Sequence, residues 1–328
     1  MPTRRKRNGA SNVNGNGTGH VLGQEATHLL RTRRRSRADA ARASDSTRPP
    51  KGRLILIGGA EDREDDMVIL REVASRARGG RLAVVTAASA EPDEMWKLYR
   101  KVFSGLGVKD VVHVAVDTRD DAYDAARLKV LDAAQVVFFT GGDQVRITAQ
   151  LGGAPMCDRI RAVYERGGTL AGTSAGTSCM SETMLVAGGG EQSHKVGNGL
   201  QMAPGLGFLT NVIIDQHFAE RGRIGRLLGA VAQNPRILGI GIDEDTAILV
   251  EDGRFAVFGA GAVYVIDAIS ESYTNVSERD VEKAMSIFDV RLHIMSEGDS
   301  FDLATRRPSR PDAKAPKPAP DSKAEAVT

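Results

Sequence analysis

From Arg53 onward, short uninterrupted apolar runs alternate with longer segments in which apolar residues recur every three or four positions. Continuous runs suit strands covered on both faces, and the three-to-four spacing suits helices that bury one side. The pattern predicts strands at Leu54–Ile57, Leu82–Thr86, Val111–Val116, Val136–Thr140, Thr169–Gly172 and Val212–Asp215. It predicts helices over Glu64–Arg78, Pro92–Leu106, Ala122–Leu131, Gln144–Leu151, Pro155–Glu165, Ala175–Leu185 and Arg221–Gln233. Strand then helix, repeated, is the arrangement of βα units on a parallel sheet.

After about Ile237 the runs shorten and crowd together, at Leu238–Ile242, Ala247–Glu251, Phe255–Phe258 and Val263–Asp267, with Val290–Met295 as a last strand. Glu251-Asp252-Gly253 marks a hairpin between two of them. The expected fold is therefore α/β in three layers, with a mostly parallel, doubly wound sheet and an antiparallel C-terminal extension of that same sheet. Residues 1–52, rich in Arg, Asn, Gly and Ser, and 306–328, rich in Pro, Lys and Ala, show no apolar periodicity. Neither segment can bury a core, so both are expected to be disordered, leaving one domain over 53–305.

The formal net charge of +2 conceals an asymmetry. Residues 1–52 carry 12 of the 44 Lys and Arg but 3 of the 42 Asp and Glu, so 32 basic residues face 39 acidic ones from 53 to 328. The run from Arg31 to Arg37 is read as a solvated tail rather than a nucleic-acid arm. No apolar stretch approaches membrane-span length, the N-terminus lacks the apolar core of a signal peptide, and Arg4-Arg5 is followed by polar residues. With only Cys157 and Cys179, the chain is expected to work in the reducing cytoplasm.

In an open α/β sheet ligands bind beyond the carboxyl ends of the strands. Four predicted strand ends carry unusual residues: Gly58-Gly59-Ala60-Glu61-Asp62, Gly141-Gly142-Asp143-Gln144, Ser174-Ala175-Gly176 and Asp215-Gln216-His217. All four should converge on one rim. Gly172-Thr173-Ser174-Ala175-Gly176 has the G-x-S-x-G spacing that turns a strand sharply into a helix with the hydroxyl at the apex, so Ser174 is the candidate nucleophile.

A serine needs a neighbouring base and an acid to orient that base. His217, just past an apolar strand, is the preferred base, and His194, in a Gly-rich loop, is its rival. Glu182, Glu191, Asp215, Glu220 and Glu244 are all candidates for the acid. The N–H of Ala175 is placed to stabilise an oxyanion, with a second donor from Gly141-Gly142-Asp143. Arg221, Arg223 and Arg226 crowd one wall of the expected cleft and point to carboxylate recognition. Neither a dinucleotide fingerprint, a phosphate-binding loop nor a zinc-type cluster of His and Cys occurs, so no cofactor or metal is expected.

Together, Leu56-Ile57-Gly58-Gly59-Ala60-Glu61-Asp62, Phe139-Thr140-Gly141-Gly142-Asp143-Gln144, the serine elbow and Asp215-Gln216-His217-Phe218 resemble the cyanophycinases, of the serine peptidase family that also contains aspartyl dipeptidase. The resemblance covers roughly Arg53 to Asp267, and the fold expected is flavodoxin-like, similar to class I glutamine amidotransferases. It implies a triad of Ser174, His217 and Glu191. It also implies a pocket lined by Gln144, Asp215, Gln216, Arg221, Arg223 and Arg226, in which the arginines hold substrate carboxylates and Asp215 pairs with a substrate guanidinium. His217 would take the proton from Ser174, with the N–H groups of Ala175 and Gly142 holding the oxyanion. The substrate implied is cyanophycin, trimmed to β-aspartyl-arginine dipeptides by a homodimer. The alternatives are an aspartyl dipeptidase acting on short Asp-X peptides and a non-catalytic module that binds an acidic ligand.

Overall fold

The computed structural model describes residues 52–310 apart from 78, 189–194, 197–198, 279 and 281. Strand β1 (Arg53–Ile57) lies in the interior of a nine-stranded sheet. On one side of it, β5 (Thr169–Thr173), β4 (Ala134–Phe139), β2 (Arg81–Val85) and β3 (Asp110–Val114) run parallel, in that spatial order. On the other, β10 (Thr246–Glu251), β11 (Arg254–Gly259), β16 (Ser300–Asp302) and β17 (Arg307–Ser309) are added antiparallel. The α/β class and the antiparallel C-terminal strands match the expectation from the sequence.

Both faces of β1 are buried, and its residues alternate between two cores. Ile55 and Ile57 meet Ile69, Leu70 and Val73 of α1 (Val68–Arg76) and Tyr99 and Phe103 of α2 (Pro92–Gly105). Leu54 and Leu56 lie in the opposite core, with α3 (Ala125–Asp132), α4 (Gln144–Leu151) and α5 (Pro155–Glu165). Pro92 and Pro155 open their helices, where a missing N–H costs nothing.

The later strands divide between two sheets. β8 (Val212–Gln216), β9 (Leu238–Ile242), β12 (Val263–Asp267) and β15 (Arg291–Met295) form a second, four-stranded sheet in which only β8 and β9 are parallel. Ile214, Ile240 and Val265 face the core shared with the main sheet, whereas Ile213 and Ile266 lie under α7 (Ile224–Gln233). The expectation of a single extended sheet is corrected on this point, because apolar alternation identifies a strand but not the sheet it joins. Two hairpins complete the described fold, β6 (Thr183–Ala187) with β7 (Gln201–Pro204) and β13 (Tyr273–Thr274) with β14 (Ile287–Phe288).

Side chains that compete for backbone groups account for the shifted helix boundaries. The Asp62 carboxylate accepts N–H bonds from Glu64 (3.0 Å), Asp65 (3.0 Å) and Met67 (2.7 Å), so the chain turns there and α1 starts at Val68. Asp124 caps α3 through the Arg127 N–H, separating it from a 3-10 turn at Arg119–Tyr123. The helix α6 after the serine elbow is one turn long (Ala175–Ser178), because the Ser181 hydroxyl bonds the carbonyls of Ser178 and Thr183 and sends the chain into β6. At the C-terminus the ordered fold continues past residue 305 to Arg310. Arg306 pairs with the buried Asp267 at 2.5 Å, and β17 pairs with β16. The expected basic tail over 1–52 lies, but for Gly52, outside the described residues. Among the described residues no helix is long and apolar enough to cross a membrane.

The three N–H bonds hold the half-buried Asp62 carboxyl down to about 2. A depressed folded-state value means the turn's stabilisation is complete above the ordinary carboxyl value and is lost as pH falls through about 2. A carboxyl-detected NMR titration should therefore give Asp62 a midpoint near 2, and a midpoint at the ordinary value of about 4 would show the turn is not formed.

Candidate active site

Ser174 sits where β5 ends, with φ 53° and ψ −113°, a conformation that costs a non-glycine residue about 1–3 kcal/mol. Its N–H donates to the Ile57 carbonyl (3.1 Å), and its carbonyl accepts from Thr177 (2.9 Å) and Ser178 (3.1 Å). The flanking glycines are required by contact. A Cβ on Gly172 would lie 2.3 Å from the Gly176 carbonyl oxygen, and one on Gly176 would lie 2.4 Å from that of Phe139.

His217 follows β8 of the second sheet and also has a positive φ, 47°. Its Nε2 is 2.9 Å from Ser174 Oγ, and its Nδ1 is 2.5 Å from Oε1 of Glu244. If the serine hydroxyl donates to Nε2, Nδ1 carries the proton and donates it to Glu244, the tautomer a general base requires. Glu244 is 37% exposed, and its own N–H donates to Glu220. Asp243, one residue earlier, fixes this loop by accepting from the N–H groups of Ala219 and Ala262. Glu191 and His194 lie outside the described residues; on the Nδ1 side of His217, the acid in contact is Glu244.

Three successive carbonyls at the end of β1 each receive one of these segments. Ile57 accepts from Ser174, Gly58 from His217 (2.8 Å) and Gly59 from Asp245 (2.9 Å), the neighbour of Glu244. Gly59, with φ +109°, lies against the imidazole, where an added Cβ would stand 2.3 Å from its Cε1. The four strand ends singled out in the sequence thus meet around Ser174. Gly141 completes the group, since a Cβ there would be 3.4 Å from that of Ser174. The N–H groups of Ala175 and Gly142, the expected oxyanion donors, have no acceptor among the described residues. Asp143 caps α4 through the Val145 N–H.

The expected pocket residues divide into buried and free groups. Asp215 is 1% exposed and is held by Arg226 through both carboxylate oxygens, Nε to Oδ2 at 2.6 Å and Nη2 to Oδ1. Arg223 adds a bond to Oδ1 (3.2 Å) and contacts both the carbonyl and the side-chain Oε1 of Gln216. Asp215 is therefore saturated by two guanidinium groups, which corrects its expected pairing with a substrate guanidinium, and Arg226 is buried with it. Burial lowers Arg223 to about 10, against the opposing pull of Asp215, and it remains a cation at neutral pH. Gln216 Oε1 lies 3.5 Å from Ser174 Oγ, and Gln144 donates to the Leu185 carbonyl of β6 (2.9 Å). Arg221 is exposed, and its side chain has no partner among the described residues. Of the three arginines, it is the one left free for an incoming carboxylate.

One contact at this rim escaped the sequence reading. Glu61 is 3% exposed and accepts from the hydroxyls of Tyr99 (2.6 Å) and Thr173 (2.5 Å). Its position in Gly58-Gly59-Ala60-Glu61-Asp62 was a signal, but nothing in the sequence marks Tyr99 or Thr173 as partners. The remaining described histidines lie elsewhere. His113 bonds Thr86 and stacks on Trp96, and His293 lies on β15. Cys179 is fully buried, which pushes its thiol far up and leaves it unreactive.

The sequence model of peptidase family S51 matches residues 54–258. The chain is 40% identical over 261 residues to the cyanophycinase of Synechococcus elongatus, covering 78% of this chain and 81% of that protein. It is 38% identical over 262 residues to the cyanophycinase of Trichormus variabilis, covering 78% and 87%. The cyanophycinase of Geminocystis herdmanii is 37% identical over 259 residues, covering 78% and 95%. Among solved structures, a peptidase from an acI-B1 actinobacterium superimposes with a TM-score of 0.59 at 20% identity, covering 78% of this chain and 98% of that one, which shows the shared fold.

Asp215→Ala would strand Arg226 and Arg223 beside the site. Urea denaturation should show a loss of about 3–5 kcal/mol, as expected for breaking a buried pair. A loss below about 1 kcal/mol, the value of a surface pair, would contradict the burial described.

Proposed function

The chain belongs to peptidase family S51, and from that premise we propose that it is a serine exopeptidase releasing β-aspartyl-arginine dipeptides from cyanophycin, a poly-aspartate with arginine on each side-chain carboxyl. The observation that carries this reading is the alignment of Ser174 Oγ, the His217 imidazole and the Glu244 carboxylate, in a chain whose relatives are cyanophycinases.

In this mechanism His217 Nε2 removes the hydroxyl proton as Ser174 Oγ bonds to a backbone aspartyl carbonyl carbon. Negative charge moves to the carbonyl oxygen, where the unused N–H groups of Ala175 and Gly142 receive it. Glu244 stabilises the imidazolium, as the acid of a Ser-His-acid triad does. The tetrahedral species collapses by breaking the C–N bond, and Nε2–H protonates the departing amine. A water activated by the same imidazole then cleaves the acyl-enzyme. Arg221 takes a substrate carboxylate, and Arg223, charged and aligned by Asp215, holds Gln216 beside the nucleophile. We assign Glu244 rather than Glu191 as the acid of the triad.

The cytoplasm suits the two free, buried thiols of Cys157 and Cys179. A homodimer is supported by β15, an edge strand paired among the described residues only with β12, whose Leu292 and Ile294 are 46% and 64% exposed. Such an edge is a template for pairing with a second copy. Ile294→Lys should convert the dimer to a monomer in sedimentation velocity, and an unchanged sedimentation coefficient would discard β15 as the interface.

Ser174→Ala should fold normally yet release no dipeptide from cyanophycin, and retained turnover would overturn the assignment. Glu244→Gln should lower kcat by about 10⁴-fold, as loss of the triad acid does elsewhere, while Glu191→Gln stays near wild type. The reverse ranking would restore Glu191. Activity on Asp-X dipeptides but not on cyanophycin would indicate an aspartyl dipeptidase.

A further inference from the structure

We propose that Glu61 is a positioning residue for the nucleophile, acting through Thr173, in the serine peptidase mechanism given above. The Glu61 carboxylate is buried, and among the described residues it has no ion-pair partner; its two oxygens are occupied by the Tyr99 and Thr173 hydroxyls. A buried carboxylate without a cation is costly, and an apolar side chain of similar volume would serve packing better. Stabilisation alone does not account for it; its partners do.

Thr173 is the residue immediately before Ser174, at the point where β5 gives way to a backbone with positive φ. In the register of the sheet it lies beside Ile57, whose carbonyl receives the Ser174 N–H. The Thr173 hydroxyl therefore anchors the strained turn from the side-chain direction while Ile57 anchors it through the backbone. On its other oxygen, Glu61 is fixed by Tyr99, which is itself buried and packed on Phe103 and Phe138 of the core. The anchor is thus connected to a rigid layer.

The same loop reaches the other end of the triad. The N–H of Asp62 donates to Asp245 Oδ1 (2.9 Å), next to Glu244, and Gly59 lies against the His217 ring. Glu61 and Asp62 consequently clamp the serine segment and the acid segment to one short stretch of chain, with the histidine between them. Loosening this clamp leaves the substrate-facing Arg221 untouched but lets Ser174 Oγ drift from His217 Nε2.

The test uses the full-length protein and the variants Thr173→Val, Thr173→Ser, Glu61→Gln and Tyr99→Phe. Turnover of solubilised cyanophycin is read alongside the rate at which a fluorophosphonate labels Ser174. Thr173→Val and Glu61→Gln should lower kcat and the labelling rate together by about 10- to 100-fold, the cost of a misplacement near 1 Å. KM should stay within about twofold, since binding groups are unchanged. Thr173→Ser, which keeps the hydroxyl, should restore both rates, and Tyr99→Phe should lower them less. A folded Thr173→Val that labels at the wild-type rate, a loss confined to KM, or a Thr173→Ser as slow as Thr173→Val would overturn the proposal. If Glu61→Gln does not fold, the comparison of Val with Ser at position 173 decides. Ser174→Ala separates the two claims: activity in that variant sinks the serine mechanism itself. An inactive Ser174→Ala beside a wild-type Thr173→Val sinks the role of Glu61 alone.

Discussion

Three consecutive carbonyls, those of Ile57, Gly58 and Gly59, set the geometry of the site. Each accepts one backbone N–H, from Ser174, His217 and Asp245 in turn, so residues far apart in sequence and borne on two different sheets are indexed against a single strand end. A hydrogen bond of this kind adds only about 1 kcal/mol to stability, but its value here is directional. It fixes the separation of segments that must agree to within a fraction of an ångström for proton transfer. The backbone can do this because β1 is buried on both faces and cannot shift without disturbing both cores.

The electrostatics follow from the same frame. Asp215 at the end of β8 would be an expensive buried charge by itself, yet Arg226 and Arg223 neutralise it and leave a net positive group beside Ser174. Such a field suits a substrate rich in carboxylates, and through Arg223 the group holds Gln216 at the strand end where it meets Ser174. The cluster that looks in sequence like three equivalent ligands is therefore graded: Arg226 is structural, Arg223 orients Gln216, and Arg221 is open to solvent.

Much of this was legible in the chain. The apolar runs located the parallel strands, because a strand covered on both faces must be apolar throughout. The glycines around Ser174 located the elbow, because no side chain fits between Gly172, Gly176 and Phe139. Helix starts were less legible, since Asp62 and Gly222 impose local turns that apolar periodicity does not register. The division of the later strands between two sheets was hidden altogether, since β8 and β10 have the same kind of sequence whichever neighbour they pair with.

The sequence by itself determined the chemistry on offer, a glycine-flanked serine, a histidine after an apolar strand, and arginines behind it, because each depends on residue type and short spacing. Only the tertiary structure decided which acid faces His217, which arginine stays free, and that Glu61 meets Thr173. Those are contacts between segments separated by 27 to 112 residues, and their partners are selected by which strands lie side by side, β1 beside β5 and β8 beside β9, which no local pattern encodes.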